Sequence, residues 1–235
     1  MGWPIDAWLM AIKSLEKLSK RTLRERIYEE VVRLIFSGEL PRGGWVDEKQ
    51  VIDRLRVSRT PFREAIGTLA KAGLIEIKPY RGFYVRSFSR DETADLYELY
   101  KRLECFAVEL AVPQMSDCDI RRFENILLEA MVALQRGDMK TYAMREREFY
   151  ETIAEQSGNS ALIEALRQFG LQIQLCGTIS GVNGEFAERA ANGYVDIIQA
   201  FKARDTPRAA FLVRAHISYV QEVILARFPN EIAFR

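Results

Sequence analysis

The apolar residues that follow residue 21 recur at three- and four-residue spacing, as on one face of a helix. They are Leu23, Ile27, Val31, Leu34 and Ile35. A capping box (T-x-x-E) at 22–25 precedes them, and Gly38 is a typical helix stop. The pattern therefore predicts an amphipathic helix that ends before Gly38.

A second, shorter helix is predicted after the turn-rich segment ELPRGG at 39–44. From Asp47 to Leu55, Val51, Ile52 and Leu55 fall on one side of a helix. Only two residues, at 56–57, separate this helix from the next predicted one. The two helices are thus joined by a tight turn.

The third predicted helix begins near Ser58 or Thr60 and ends at Gly73. Pro61 is tolerated in its first turn because the amides there have no intrahelical acceptor. Its apolar stripe consists of Phe62, Ile66 and Leu69. Two strand-like runs follow, LIEI at 74–77 and FYVR at 83–86, and the joining KPYRG indicates a hairpin. Three helices and a hairpin describe a winged helix-turn-helix.

The chain from Arg90 onwards has no strand pattern and is predicted to be an all-α bundle of about six helices. The predicted helices span roughly 91–112, 117–136, 139–156, 160–179, 185–204 and 207–227. Cap candidates precede four of them, namely Ser116, Asp138, Asn159 and Thr206. Gly137, Gly158 and the GVNG turn at 181–184 separate helices. Such a bundle can hold a ligand between its helices, form a dimer interface, or do both.

Charge is distributed unevenly along the 235 residues, although the formal net charge of the whole chain is only +1. The stretch from Arg21 to Arg90 contains 15 basic and 9 acidic residues and so carries +6, which leaves −5 for the rest. A local basic excess is typical of a nucleic-acid-binding module, but a charge of this size also occurs on ordinary solvated surfaces.

Several classes of protein do not fit the composition. No apolar run is long enough to span a membrane and the N-terminus lacks the plan of a secretory signal, so a cytoplasmic location without a membrane partner is expected. Three cysteines without CxxC spacing disfavour disulfides or structural zinc. The chain has one histidine and no GxSxG, P-loop or GxGxxG motif, which argues against an enzyme.

The stretch VSRTPFREAI at 57–66 places two arginines four positions apart near the start of the third predicted helix. If the apolar stripe packs inward, Arg59, Thr60 and Arg63 project from the end of the helix that enters a major groove in such folds. A guanidinium can bind guanine O6 and N7 with two hydrogen bonds. The alternative is that both arginines are ordinary surface residues, with Arg63 paired to a nearby carboxylate.

Residues 26–85 resemble the DNA-binding domain of GntR-family bacterial transcription regulators. The most specific pieces are VSRTPFREAI, the following GLIE, and RGFYV at the wing. Arg42 and Val46 depart from the residues common in the family, outside the DNA-reading positions. The resemblance implies that Arg59 and Arg63 contact bases. It further implies supporting DNA-binding roles for Ser58, Thr60 and Glu48 around the recognition helix and for Arg81 and Gly82 at the wing tip, near the minor groove.

The C-terminal helices resemble the FadR branch of the same family, whose FCD-type domain binds an effector and dimerises. The resemblance rests on DETADLYELYKRLECFAVELA, EFYETIAEQSGN and the ARD spacing to His216. The expected domains are an N-terminal extension (1–20, helical or partly disordered), a winged helix-turn-helix (21–88), an all-helical effector and dimerisation domain (89–229), and a tail (230–235).

Many members of this branch hold a divalent metal, and the resemblance places its ligands on Glu146, Tyr150, Tyr194 and His216. A frequent arginine of the first helix falls on Tyr100. Because a neutral tyrosine is a poor ligand for a divalent ion, we interpret the metal site as lost and expect no cofactor.

These five residues would instead line an aromatic effector pocket with polar tips. The alternative is that the tyrosines fill the old cavity as core. The sequence thus predicts a homodimer that binds a short palindromic operator and responds to a small-molecule metabolite. The family resemblance further suggests operator half-sites of the GT and AC kind. The alternative function is an architectural or constitutive DNA-binding protein whose helical domain only dimerises.

Overall fold

A computed structural model describes residues 22–177 and 184–228. The chain divides into two compact units, with the boundary between Arg86 and Ser87. The predicted N-terminal extension (1–20), most of the predicted turn at 181–184 and the predicted tail (230–235) lie outside the described residues.

The first unit contains three helices in the predicted order: α1 (Leu23–Phe36), α2 (Glu48–Leu55) and α3 (Arg59–Lys71). The capping box at the start of α1 is confirmed, with Thr22 and Glu25 each accepting from the other's backbone amide. Arg56 ends α2 in the left-handed region at φ 52°. This conformation turns the chain sharply enough for α3 to begin three residues later.

The wing is a three-stranded antiparallel sheet in the order β1-β3-β2, formed by β1 (Trp45–Val46), β2 (Ile75–Lys78) and β3 (Gly82–Val85). The hairpin of β2 and β3 is as predicted, with Lys78 opposite Gly82. The sequence did not predict β1, which pairs Trp45 with Tyr84 and Val46 with Phe83. A two-residue strand carries no detectable alternation, so only pairing with β3 defines it.

The predicted apolar stripes of the first unit form its core. Phe62, Ile66 and Leu69 on α3 are completely buried, and α3 packs against α1, α2 and β2. Phe62 also meets Phe83 of the wing edge to face, with ring centroids 5.9 Å apart. Burying this face of α3 leaves its opposite face exposed.

The second unit is an all-α bundle, as predicted. Its helices in the described ranges are α4 (Arg90–Ala111), α5 (Asp117–Gln135), α6 (Met139–Gln156), α7 (Ser160–Gly177), α8 (Gly184–Lys202) and α9 (Thr206–Leu225). A short 3₁₀ turn at Val112–Gln114 connects α4 and α5.

Three of the four predicted caps are confirmed: Ser116 forms a capping box with Asp119, Asp138 accepts from the amide of Thr141, and Asn159 accepts from that of Leu162. The prediction for α9 was wrong by one residue, because Asp205 is its N-cap and Thr206 its first residue. The Asp205 carboxylate accepts from the Arg208 amide at 3.0 Å. Both residues are good cap formers, and the carboxylate also complements the positive end of the helix dipole.

Helix α4 is central to the second unit, since it packs against α6, α7 and α9. On the other side, α5 packs against α6 and α8 around the rings of Phe123, Phe149 and Phe201. Within the described ranges, no helix combines the length and apolar character needed to cross a bilayer.

Candidate functional site

Two arginines and one glutamate form a cluster at the exposed beginning of α3. The Arg59 and Arg63 side chains are 80% and 62% exposed. Glu48, in the first turn of α2, lies between them: Arg63 Nη2 donates to its Oε2 at 3.3 Å, and Arg59 Nε is 3.7 Å from its Oε1. The tight turn between α2 and α3 therefore brings the carboxylate to both guanidinium groups.

The contact with Glu48 matches in part the alternative in which Arg63 pairs with a nearby carboxylate. Exposed ion pairs typically contribute only about 0–1 kcal/mol. The pairing therefore leaves both guanidinium groups accessible to a stronger partner, while it restricts where they point.

Ser58 and Thr60 are exposed beside the arginines at the same end of α3. Ser58 is the N-cap residue, but its hydroxyl makes no capping hydrogen bond to the helix. The first amides of a helix lack intrahelical acceptors and attract anions. This end of α3 thus combines two cations, two hydroxyls and a helix N-terminus.

The wing turn contains two predicted site residues, Arg81 and Gly82, and one residue that was not predicted, Tyr80. Arg81 is exposed and its amide donates to the Lys78 carbonyl at 3.0 Å. Gly82 has φ +102°, and a Cβ atom there would lie 3.0 Å from Trp45 Nε1. Tyr80, which we did not predict as a site residue, is fully exposed at φ 60°. A bulky residue in the left-handed region marks a strained turn.

The five residues predicted to form an effector pocket lie together in the second unit. Tyr194 is central: its hydroxyl donates to Glu146 Oε1 at 3.0 Å, and its ring centroid is 4.5 Å from that of His216 and 6.1 Å from that of Tyr150. Tyr150 in turn packs edge to face on Tyr100 at 6.2 Å. Helices α4, α6, α8 and α9 each contribute to this tyrosine cluster.

Burial determines the protonation of the tyrosine cluster. It raises the pKa of Tyr100, Tyr150 and Tyr194 well above 10, so all three phenols stay neutral. Burial lowers the pKa of His216 to about 4. Burial also raises the pKa of Glu146, against the opposing effect of the Tyr194 hydrogen bond.

This donor set does not fit a divalent metal. Two of the four positions present neutral phenols, and the Tyr194 hydroxyl already donates to Glu146, the one carboxylate of the set. In the part of the chain that the structure describes, no three His, Cys, Asp or Glu side chains are grouped so that they could hold an ion. The chemistry of the cluster is therefore that of hydrogen bonding and aromatic contact.

The five predicted residues do not all line the same open space. A cavity of about 90 Å³ lies between α4, α6 and α7, with Tyr100 and Tyr150 in its wall. Glu146, Tyr194 and His216 are absent from this wall. In the described structure, these three residues pack together behind the cavity. Their packing matches the alternative in which the tyrosines act as core.

Glu104 of α4 lines the cavity, and the sequence analysis did not name it as a site residue. It is 1% exposed, and burial raises its pKa to about 8, although a hydrogen bond with Tyr100 lowers it. Its Oε2 atom has no hydrogen-bond partner among the described residues. The available signal was its position: Tyr97, Tyr100 and Glu104 share the spacing of the buried stripe.

Comparison with known protein families agrees with both halves of this architecture. The model of the bacterial regulatory proteins of the gntR family matches residues 23–85, and the FCD domain model matches residues 95–219, which is more than half of the chain.

Individual relatives match along most of their length. The HTH-type transcriptional regulator YdhC of Bacillus subtilis (strain 168) is 26% identical over 195 residues, covering 83% of this chain and 87% of the relative. The probable D-xylose utilization operon transcriptional repressor of Paenarthrobacter nicotinovorans is 24% identical, with coverages of 86% and 89%.

Among solved structures, E. coli McbR/YncC superimposes with a TM-score of 0.81 at 20% identity and covers 89% of this chain and 100% of its own. This likeness is one of fold. Together with the two family matches, it leads to one conclusion: the chain belongs to the GntR family of bacterial regulatory proteins, in the group with a C-terminal FCD domain, and is a DNA-binding transcription regulator.

Proposed function

We propose that this regulator binds a short palindromic operator as a homodimer, reads bases with Arg59 and Arg63, and changes its DNA affinity when a small metabolite binds in its helical unit. The observation that carries the proposal is the exposed pair of arginines at the beginning of α3, with Glu48 between them.

Base reading follows from the chemistry of this pair. Each guanidinium can make two hydrogen bonds to the O6 and N7 atoms of a guanine in the major groove. Glu48 supports this role because it limits the orientations of both arginines before DNA binds, which reduces the entropy lost on binding. Ser58, Thr60 and the first amides of α3 are suited to adjacent phosphates, since these groups donate hydrogen bonds at the positive end of a helix.

The wing supplies a second contact in this proposal. Arg81 and Gly82 lie at the hairpin turn, and the fully exposed Tyr80 extends this surface. An arginine there is suited to the narrow, negatively charged minor groove. Gly82 also has a structural role independent of DNA, because its φ of +102° strains any residue with a Cβ atom, and a Cβ atom there would lie only 3.0 Å from Trp45 Nε1.

Dimerisation follows from the size of the reading unit. One helix-turn-helix module covers a half-site, and a two-fold symmetric dimer matches a palindrome. The half-sites of the GT and AC kind expected from the family resemblance fit two arginines that read guanine. Analytical ultracentrifugation of the protein alone and with its operator tests this step, and a monomer bound to the whole operator would contradict it.

The effector response is assigned to the helical unit. Support comes from the tyrosine cluster, where Tyr100 and Tyr150 line the cavity and Glu146, Tyr194 and His216 adjoin it. An effector can change DNA affinity only if it binds one arrangement of the dimer more tightly than another, typically with a coupling of about 1–3 kcal/mol. The operator must then change effector affinity by the same factor.

The test of the DNA half begins with selection of preferred sequences from random duplex DNA. Dissociation constants are then measured for wild type, Arg59→Ala, Arg63→Ala and Lys71→Ala on the selected operator and on single-base variants. Lys71 is the control, since it removes a positive charge from the last turn of the same helix. If both arginine variants discriminate between bases as well as wild type does, the assignment of base reading is wrong.

The test of the effector half uses Tyr150→Ala. With a metabolite found by thermal-shift screening, this variant should lose the ligand response while binding the operator within a few-fold of wild type. An unchanged response would assign the effector to another part of the molecule and leave the tyrosines as core.

A second candidate function is supported by one observation. The cavity of about 90 Å³ is well below the 300–1,000 Å³ typical of small-molecule sites, which favours a constitutive or architectural DNA-binding protein whose helical unit only dimerises. A screen in which no small molecule binds the helical unit, or in which a bound one leaves operator affinity unchanged, would support this second function.

A further inference from the structure

The cavity between α4, α6 and α7 is lined by three residues with a buried polar atom that lacks a hydrogen-bond partner among the described residues: Glu104 Oε2, Tyr150 Oη and Arg147 Nε. Of these three side chains, only that of Glu104 is fully buried. Glu104 Oε2 has no hydrogen-bond partner within residues 22–177 and 184–228, although the side chain is 99% removed from solvent. An unpaired buried oxygen of this kind destabilises a protein, because it has lost its hydrogen bonds to water without replacing them. A ligand that donates a hydrogen bond to Oε2 would remove that penalty.

The charges around the cavity determine which donor suits it. Two arginines line the cavity, and a glutamate balances the charge of each: Arg147 Nε is 3.3 Å from Glu151 Oε1, without the geometry of a hydrogen bond, and Arg167 Nη1 donates to Glu164 Oε2 at 3.1 Å. By contrast, Glu104 takes part in none of the ion pairs of the described residues. Glu104 is therefore the one carboxyl group of the described cavity wall without a paired cation, and it becomes negatively charged above its pKa of about 8.

The third acidic group of the wall is Glu155, which pairs with Arg122 at 3.4 Å on the exposed side. An entering carboxylate ligand could accept hydrogen bonds from Arg147 Nε and Tyr150 Oη, but it would also approach the carboxyl group of Glu104, and both arginines already have a glutamate partner. An entering ammonium group would find an unpaired carboxyl group and the two aromatic rings of Tyr100 and Tyr150, whose π electrons attract cations.

The size of the space sets a second restriction. At about 90 Å³ it has room for a ligand of a few heavy atoms in its present form. Gly170 of α7 contributes to this room, because a Cβ atom there would come 3.9 Å from the Tyr100 hydroxyl, and any longer side chain would extend further into the cavity.

We propose that the effector of this regulator carries a small organic ammonium group, which binds in this cavity by donating a hydrogen bond to Glu104 Oε2 beside the rings of Tyr100 and Tyr150. Calling this ligand the effector rests on the proposed function, but the binding site itself can be tested without DNA. A primary ammonium suits the site better than a quaternary one, because only the former has N–H groups to donate.

Isothermal titration calorimetry of the full chain tests the site with three probes of similar size: n-butylammonium, tetramethylammonium and butyrate. The buffer is borate at pH 9, because Tris is itself an amine and because Glu104, with a pKa of about 8, is charged at this pH while an alkylammonium keeps its proton. We expect n-butylammonium to bind most tightly and butyrate to show no binding. Tighter binding of butyrate than of n-butylammonium, or no binding by either ammonium probe, would overturn the inference.

Three variants locate the binding. Glu104→Gln keeps the shape of the side chain but removes its capacity for charge, and it should weaken n-butylammonium binding by about 10- to 100-fold, the range of a charged hydrogen bond. Glu155→Gln is the matched control, because it removes a wall carboxylate that is exposed and already paired, and it should change binding less than twofold. Gly170→Leu should abolish binding by filling the space.

The thermal unfolding of each variant without ligand shows whether it folds, so loss of binding and loss of structure remain separate. Equal weakening by Glu104→Gln and Glu155→Gln would indicate only a diffuse acidic surface and would reject the site. The Gly170→Leu variant keeps the Glu104 carboxyl group but fills the cavity. Unchanged n-butylammonium binding by this variant would therefore also reject the site.

A final measurement separates this inference from the proposed function. Operator affinity is determined with and without saturating n-butylammonium. Binding that leaves operator affinity unchanged supports the ammonium site and contradicts its regulatory role. A metabolite without a cationic group that shifts operator affinity and is blocked by Tyr150→Ala supports the regulatory role and contradicts the ammonium site.

Discussion

The two units of this regulator keep their polar groups in opposite environments. In the first unit, Arg59 and Arg63 extend into solvent from a helix whose other face is completely buried. In the second, Glu104, Tyr194 and His216 lie inside the bundle. Residues of the first kind can change what the protein binds without changing how stably it folds. Residues of the second kind affect both, because buried polar groups contribute directly to the stability of the bundle.

The largest expected effect comes from removing the central ring of the buried cluster. Tyr194→Ala should destabilise the protein by about 3–5 kcal/mol, since it leaves a cavity among Phe149 and His216 and deprives Glu146 of its hydrogen bond. Urea unfolding of wild type and of the variant measures this loss of stability. The matched control is Tyr80→Ala, a fully exposed tyrosine whose loss should change stability by less than about 0.5 kcal/mol.

The next effect is a pH dependence of stability that originates in the second unit. Burial raises the pKa of Glu104 from the ordinary 4.5 to about 8. Between these values the unfolded chain has lost the proton that the folded chain keeps, so stability falls as pH rises, by at most about 1.4 kcal/mol per pH unit, and levels off above pH 8. Glu104→Gln should abolish this fall.

The measurement is urea unfolding of wild type and Glu104→Gln at several pH values between 5 and 9. The free energy of unfolding of Glu104→Gln, relative to that of wild type, should increase as the pH rises towards 8. His216, whose pKa burial lowers to about 4, makes both proteins less stable as pH falls below 6.5, because only the unfolded chain then binds the proton. A parallel pH dependence in the two proteins would show that Glu104 does not titrate as described.

In the first unit, a comparable free energy should appear in DNA recognition and not in folding. Arg63→Ala should reduce discrimination at one base pair by about 1–3 kcal/mol and leave the free energy of unfolding within about 0.5 kcal/mol of wild type. Fluorescence anisotropy on the selected operator and its single-base variants gives the first quantity. A large loss of stability would mean that Arg63 serves the fold, contrary to its exposure.

Glu48 offers a sharper version of the same comparison. Glu48→Gln should keep the fold and the charge of both arginines but relax their orientation, because the glutamine cannot form the two ion pairs. We expect a loss of base discrimination smaller than that of Arg63→Ala, together with a gain in affinity for random DNA, since a negative charge near the phosphates is removed. Reduced affinity for all sequences alike would contradict the orienting role.

The smallest effect is expected at the wing turn. Tyr80 adopts φ 60°, which strains a side chain with a Cβ atom, so Tyr80→Gly should change stability by less than about 1 kcal/mol and in the stabilising direction. If the ring contacts DNA, operator affinity should nevertheless fall a few-fold. Equal affinity of Tyr80→Gly and wild type would exclude the ring from the interface.

The sequence predicted most of the fold because the relevant signals are local. The capping box at Thr22 and Glu25 and the apolar stripe of Phe62, Ile66 and Leu69 depend on residues one or two turns apart. The stripe also indicated, by exclusion, which side of α3 presents Arg59 and Arg63 to solvent. The exposed side of α3 could therefore be derived from the residues of that helix alone.

What only the tertiary structure decided involves partners far apart along the chain. Strand β1 exists because Trp45 and Val46 pair with residues almost forty positions later, and the same packing places Trp45 Nε1 only 3.0 Å from where a Cβ atom at Gly82 would lie. The sequence brought Tyr100, Tyr150 and Tyr194 into one predicted pocket, but the packing of α4 against α6 and α7 divides them between a small cavity and a filled core.

Glu104 shows most clearly what the local sequence determines and what the tertiary packing decides. Its place on the apolar stripe of α4 was visible in the sequence, whereas its burial, its unpaired oxygen and its raised pKa arise from helices that join the bundle more than forty residues later. Local sequence determines which residues can form a helix and which side of it is apolar. Burial and electrostatic environment depend on the summed contacts of all surrounding elements, and these are fixed only when the helices pack together.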